Sequence, residues 1–194
     1  MVSGFVGAVA LATSTYNVYL QRQQVRAQVW PFLVLGADYG NEGFSVSLTN
    51  RGVGPAEVKR VRVTVDGKRA GDWVEVEASL LRAASLHDSW QIQPIENEVV
   101  SPGLQIVTLK VHDMDHARAM VAERRRLAVE LCYCSTLDDC WLLSAPNLFE
   151  PSTTRPIAEC APDPKPFRSA GAQLLDNLAA GQTQDPEGGA PDGG

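Results

Sequence analysis

The hydrophobic rhythm of this chain changes twice, near Trp30 and near Pro151. No charge interrupts the mostly apolar run from Val2 to Leu20 (VSGFVGAVALATSTYNVYL), and Arg22 and Arg26 follow at once. About 20 apolar residues cross a bilayer core as a helix, and basic and aromatic residues collect at its edges. Residues 1–21 therefore read as a transmembrane anchor, with Tyr16, Tyr19 and Trp30 placed for the headgroup region. Two other readings stay open. Ala8-Val9-Ala10 has the small-x-small form of a signal-peptide cleavage site, and the run also suits a buried core helix. Val18, Val25 and Val29 continue at helical spacing, and the residue before a proline is pushed out of the α region. Residues 22–30 are thus expected to be a helical stalk that stops at Trp30-Pro31.

From Phe32 onward, short runs of alternating apolar and polar residues are separated by turn formers, which predicts antiparallel strands. Phe32–Leu35 and Phe44–Thr49 are the first two, joined across Gly36–Gly43 (GADYGNEG). Asn50-Arg51-Gly52-Val53-Gly54-Pro55-Ala56 predicts a structured corner. Asn50 there bonds nearby backbone, the glycines are free to take positive φ, and Pro55 sets the exit direction. Val58–Val65 alternates so that Val61, Val63 and Val65 face a core, and Asp66-Gly67 supplies a type I′ turn. Lys68–Glu77 is expected to return as a strand, Ala78–Leu86 to form a short helix, and Trp90–Ile95 another strand. Ser101-Pro102-Gly103 predicts a turn before the strand Leu104–Val111. Asp113 is placed to cap a helix reaching about Arg124, with Ala117, Met120 and Val121 on one face. Leu127–Cys134 and Cys140–Leu143 make a last hairpin.

Seven or eight such strands predict a two-sheet antiparallel β-sandwich over residues 31–150. Pro, Ala, Gly and Asp dominate residues 151–194, so this segment is expected to be a largely disordered tail, with a short helix over 168–179 around Leu174, Leu175 and Leu178. The net charge of −6 argues against nucleic acid, because phosphate binding needs clustered Lys and Arg. Lys59–Arg62 and Arg124–Arg126 are short basic runs, read as solvated ends of elements.

Four cysteines carry the sharpest local signal. Cys132, Cys134, Cys140 and Cys160 do not have the spacing of zinc knuckles, and an even number beside an export-like anchor favours disulfides. Cys132 and Cys134 point to one face of a strand and Cys140 follows just across the turn. A Cys134–Cys140 bridge with Cys132–Cys160 outside it is compatible with this, and the three possible connectivities stay open. The basic collar would by itself place the domain in the cytoplasm, but the cysteines favour the periplasm. His112 and His116 stand at i, i+4, a spacing that chelates metal on a helix, although Asp113 as a cap explains the cluster more simply. No nucleophile elbow, phosphate loop or dinucleotide fingerprint is present, so neither a reaction nor a cofactor is expected.

The run VSLTNRGVGPAEVKRVRVTVDG, Val46 to Gly67, resembles the early strands of immunoglobulin-like bacterial cell-surface modules of the CARDB type, in which an N-x-G-x-G-P-A corner joins two strands. Val100-Ser101-Pro102-Gly103 is similar to a turn common in those modules. The resemblance implies a mainly β, immunoglobulin-like sandwich on a single-pass bacterial inner-membrane protein. Its expected partners are membrane lipid through the N-terminal helix and a protein of unknown identity. The function expected is that of a non-catalytic interaction or scaffold module. Two alternatives are a metal-dependent or thiol-active envelope enzyme using His112, His116 and the cysteines, and a small-ligand or carbohydrate binder. The second would need exposed aromatic residues, whereas Trp73, Trp90 and Trp141 are expected to fill the core.

Overall fold

One long helix and two antiparallel sheets form the frame of the molecule, seen in a computed structural model that describes residues 2–81 and 90–168. Helix α1 (Val2–Gln28) runs unbroken through the expected anchor and stalk. It stops where Pro31 removes a donor and pushes Trp30 out of the α region. Among the described residues, no helix is long and apolar enough to cross a membrane.

The first sheet has the order β1-β2-β7-β5, built from β1 (Leu33–Gly40), β2 (Gly43–Asn50), β7 (Gln105–Val111) and β5 (Trp90–Ile92). The second has the order β10-β9-β8-β3-β4, from β10 (Thr153–Ile157), β9 (Cys140–Ala145), β8 (Leu127–Cys134), β3 (Ala56–Val65) and β4 (Lys68–Ala70). A two-residue strand β6 (Val99–Val100) pairs with the start of β3. Alternate side chains of both sheets meet in one core, with Leu33, Phe44, Val46 and Leu48 from the first and Val63, Leu131 and Leu143 from the second. Two bulges adjust the alternation. Register shifts at Val58/Arg60 on β3, so Val58 and Val61 are both buried although three residues apart. A second shift, between Val46 and Ser47, leaves Thr108 turned inward, where its hydroxyl donates to the Val46 carbonyl at 3.2 Å.

Several elements differ from the sequence expectation. The connection between the first two strands shrinks to Asn41–Glu42, because Ala37 and Tyr39 pair with Val46 and Phe44 and carry β1 on to Gly40. Gly43 is required there: its φ is +100°, and a Cβ would overlap the Val111 carbonyl. The strand expected over Lys68–Glu77 ends after Ala70 and gives way to helix α2 (Trp73–Leu81). Asp72 starts this helix by accepting from the Glu75 N–H at 2.7 Å, while the Glu75 carboxylate accepts from the Gly71 N–H at 2.7 Å. Trp73, Val76, Glu77 and Leu80 are its buried positions, a helical period rather than a strand's.

Helix α3 (Met114–Ala122) is capped by Asp113 as expected, and a 3-10 turn Arg124–Arg126 leads into β8. The second sheet continues past residue 150 through β10, and the chain then runs back across that sheet as far as Arg168. The helix expected over 168–179 beyond Arg168, the tail beyond Gly181 and the residues from 82 in the expected Ala78–Leu86 helix lie outside the described residues.

Candidate functional site

The end of the sandwich from which α1 emerges gathers three structures that the sequence singled out: the Asn50–Ala56 corner, the 101–103 turn and the cysteine hairpin. Asn50 is fully buried and uses its whole amide. Its oxygen accepts from the Phe32 and Gly52 N–H groups at 3.2 and 2.9 Å, and its nitrogen donates to the Gly54 and Val100 carbonyls at 2.8 Å each. One side chain thus ties the helix exit, the corner and β6 together. The glycines of the corner serve close approach rather than positive φ. A Cβ on Gly54 would overlap the Val29 carbonyl and one on Gly52 the Phe32 N–H, while the positive-φ glycines among the described residues are Gly43, Gly67 and Gly103. Val53 and Gly54 donate their N–H groups to the Trp30 carbonyl, which fixes the end of α1 against the domain.

All four cysteines are paired, Cys134 with Cys140 and Cys132 with Cys160. Cys134 and Cys140 are directly opposite across the β8–β9 ladder, so their bridge closes the base of the hairpin. The hairpin loop satisfies its own backbone: Ser135 N–H donates to the Asp139 carbonyl at 2.8 Å, and the Ser135 hydroxyl accepts from the N–H groups of Leu137 and Asp139. Leu137 is left exposed at the tip, and Arg26 on α1 reaches Asp139 at 3.4 Å. A cleft between helix and hairpin is lined by Val18, Tyr19, Arg22, Val25, Arg26 and Leu137.

The second bridge holds a strap over the outer face of the second sheet. Arg60 donates to the Ala161 carbonyl at 2.8 Å, Arg62 approaches Asp163 at 3.7 Å, and Arg69 pairs with Asp163 and with the Lys165 carbonyl. The Asp163 side chain is 2% exposed. Burial opposes its ionisation, but Arg69, the Lys165 N–H and Arg62 outweigh it and hold the carboxyl below its ordinary range. Phe167 meets Trp73 edge-on at 5.4 Å, and Arg168 N–H donates to the Gly71 carbonyl at 2.8 Å. Arg60 and Arg62, expected as solvated positions, are therefore anchors for the strap. Nothing in the spacing of Arg62, Arg69 and Asp163 announces their meeting, since it depends on the Cys132–Cys160 bridge returning the chain to β3.

His112 and His116 lie at the opposite end, beyond the far terminus of β7, so they do not meet the cysteines; seven strand residues span roughly 23 Å. The Asp113 carboxylate accepts from the His116 N–H at 2.9 Å, and this holds its carboxyl below the ordinary range. The His116 ring nitrogen Nδ1 faces the same carboxylate at 2.9 Å. Among the described residues, the one group of three His, Cys, Asp or Glu ligand atoms within 4.8 Å of one another is Cys134, Cys140 and Cys160, and those sulfurs are in bridges.

An apolar cavity between the sheets is lined by Val61, Trp73, Ile92 and Phe167, with Glu96 also in its wall; burial pushes the Glu96 carboxyl up. Trp73 is 5% exposed and Trp141 stacks on buried Tyr133 at 5.6 Å, so both serve the core, while the side chain of Trp90 lies outside the described residues. No protein-family model, curated protein or solved structure matches this chain.

Proposed function

We propose that the protein is a membrane-anchored, non-catalytic interaction or scaffold module of the bacterial envelope, with an immunoglobulin-like domain held at the outer face of the inner membrane. The observation that carries this reading is the uncovered apolar surface of α1. Val6, Leu11 and Tyr16 are 60%, 71% and 62% exposed, bare apolar side chains on a helix that packs no core against them. Lipid around Val2–Leu20 supplies the missing cover, with the Tyr16, Tyr19, Arg22 and Arg26 girdle at the headgroups. Strand order supports the immunoglobulin-like assignment. Lettered along the chain, β1-β2-β7-β5 corresponds to A-B-E-D, and β9-β8-β3-β4 to G-F-C-C′, the order of that Greek key. The resemblance to CARDB-type modules rests on the same strands and on the Asn50–Ala56 corner. Two disulfides fit an oxidising compartment and a domain that works by presenting surfaces.

The test is thiol labelling of intact cells with a membrane-impermeant maleimide, with and without reductant, followed by crosslinking and mass spectrometry. Labelling that requires reduction but not lysis, with a recurrent envelope protein in the crosslinks, is the expected result. Labelling only after lysis overturns the location, and absence of any protein crosslink overturns the interaction role.

A further inference from the structure

The four cysteines form one sulfur cluster rather than two separate bridges. Cys132 and Cys134 stand two residues apart on β8, so their side chains leave the same face of the strand, the outer face that the strap covers. Cys160 of the strap serves both. Its sulfur is bonded to that of Cys132 and touches that of Cys134 at 3.6 Å. The sulfurs of Cys134, Cys140 and Cys160 all fall within 4.8 Å of one another. Neither structural role needs this contact, because Cys134–Cys140 closes the hairpin and Cys132–Cys160 holds the strap without it. Access to the cluster is uneven: Cys132 is fully buried and Cys134 is 4% exposed, whereas Cys140 is 7% exposed and Cys160 is half-buried.

We propose that these four cysteines are a thiol–disulfide exchange site that accepts two electrons from a dithiol, with Cys134 passing the opening of the hairpin bridge on to Cys160. Exchange proceeds by attack of a thiolate on a disulfide sulfur. One sulfur of the dithiol attacks Cys140 and bonds to it; the Cys134–Cys140 bond breaks, and Cys134 leaves as a thiolate. That thiolate already touches Cys160. A Cys134–Cys160 bond forms as the Cys132–Cys160 bond breaks, and Cys132 leaves with the electron pair and takes up a proton. The second sulfur of the dithiol then displaces Cys140, which takes up the other proton, and the dithiol departs as a cyclic disulfide. The product holds one bridge, Cys134–Cys160, with thiols at Cys132 and Cys140. A thiolate held against a second disulfide acts at an effective concentration that no free thiol matches. The strap need not leave the sheet, since Arg60 on the Ala161 carbonyl and Arg69 on Asp163 keep it in place while Cys160 changes partner. This chemistry does not rest on the membrane anchor, and it adds a redox partner of the dithiol class to the interaction role.

The experiment treats the oxidised full chain with limiting dithiothreitol, then quenches and alkylates it in acidic denaturant, where exchange stops because thiolate is scarce. Chains that carry two labels are isolated, and their labelled and linked cysteines are located by fragment mass. Labels on Cys132 and Cys140, with Cys134 linked to Cys160, are the expected pattern. Labels on Cys134 and Cys140 only, or on Cys132 and Cys160 only, mean that the bridges react separately and overturn the proposal. Chains that resist the dithiol, or that pass straight to four labels, overturn it as well. The Cys140→Ser variant tests the internal step without any reductant. Cys134 is then left unpaired and should compete with Cys132 for Cys160, so label is expected on both Cys132 and Cys134; label on Cys134 alone overturns the transfer. Circular dichroism establishes that the variant keeps the fold, and the wild-type result decides if it does not.

Discussion

Asn50 joins three parts of the fold through one side chain. Its position in a turn was legible, because asparagine beside glycines bonds nearby backbone, and the bonds to Gly52 and Gly54 are of that kind. The bond to Val100 was not legible, since it joins residues fifty apart and depends on β6 pairing with β3. Replacement by Ala strands two carbonyls and two N–H groups in or near the core, at about 1–3 kcal/mol for a single unsatisfied buried group. Asn50→Ala is therefore expected to lower stability by roughly 2–4 kcal/mol in urea unfolding. Asn50→Asp keeps the acceptor but turns an anionic oxygen toward two carbonyls, so it should be no better tolerated. Gly54 gives a second prediction at this scale. Because a Cβ meets the Val29 carbonyl, Gly54→Ala should separate α1 from the corner, seen as faster hydrogen exchange at the Val53 and Gly54 N–H groups. Exchange equal to wild type would show that the junction is looser than the bonds imply.

At the level of elements, the sequence was most informative where periodicity and turn chemistry agreed. Asp66 and Gly67 take φ of 52° and 74°, as the predicted hairpin requires, and Asp113 caps α3 through two N–H groups. The misreading of Lys68–Glu77 has a definite cause. Trp-Val-Glu-Val-Glu alternates over five residues and so imitates a strand, but the buried set continues as Trp73, Val76, Glu77 and Leu80, visible only over a longer window and with Asp72 taken as a cap. Trp73 is the pivot of this element, because it packs into the core and against Phe167 of the strap. Trp73→Ala should cost about 3–5 kcal/mol in denaturant unfolding, the range for large-to-small changes at aromatic core sites. The two bridges should separate in the same assay. Loop-closure entropy gives roughly 3–4 kcal/mol for Cys132–Cys160, with a sequence separation of 28, and roughly 2–2.5 for Cys134–Cys140, with a separation of 6. Cys160→Ser should therefore lower the midpoint more than Cys140→Ser, and the reverse order would mean that the hairpin, not the strap, carries the domain.

The strap makes the whole molecule differ from a sandwich that ends at residue 150, the boundary that composition suggested. Proline, alanine and aspartate after Pro151 looked unable to fold, yet β10, Cys160, Asp163 and Phe167 borrow their order from β9, Cys132, the arginines of β3 and β4, and Trp73. Their binding partners are distant in sequence, and composition carries no record of them. A chain ending at Glu150 should consequently expose the β9 edge and lose cooperative unfolding. The electrostatic clasp makes a finer prediction. Asp163 is ionised in the folded state more readily than in the unfolded chain, so its contribution is complete at pH values above the unfolded carboxylate pKa of about 3.9 and is lost as pH falls through the lower folded value. Protonation then leaves the Arg62 and Arg69 guanidinium groups facing a neutral partner on a covered face. Below about pH 4 the urea midpoint of the wild type should thus fall more steeply than that of Asp163→Asn, whose penalty is already present at neutral pH. Parallel pH profiles for the two chains would place the acid sensitivity elsewhere and reduce the clasp to a contact made by the disulfide alone.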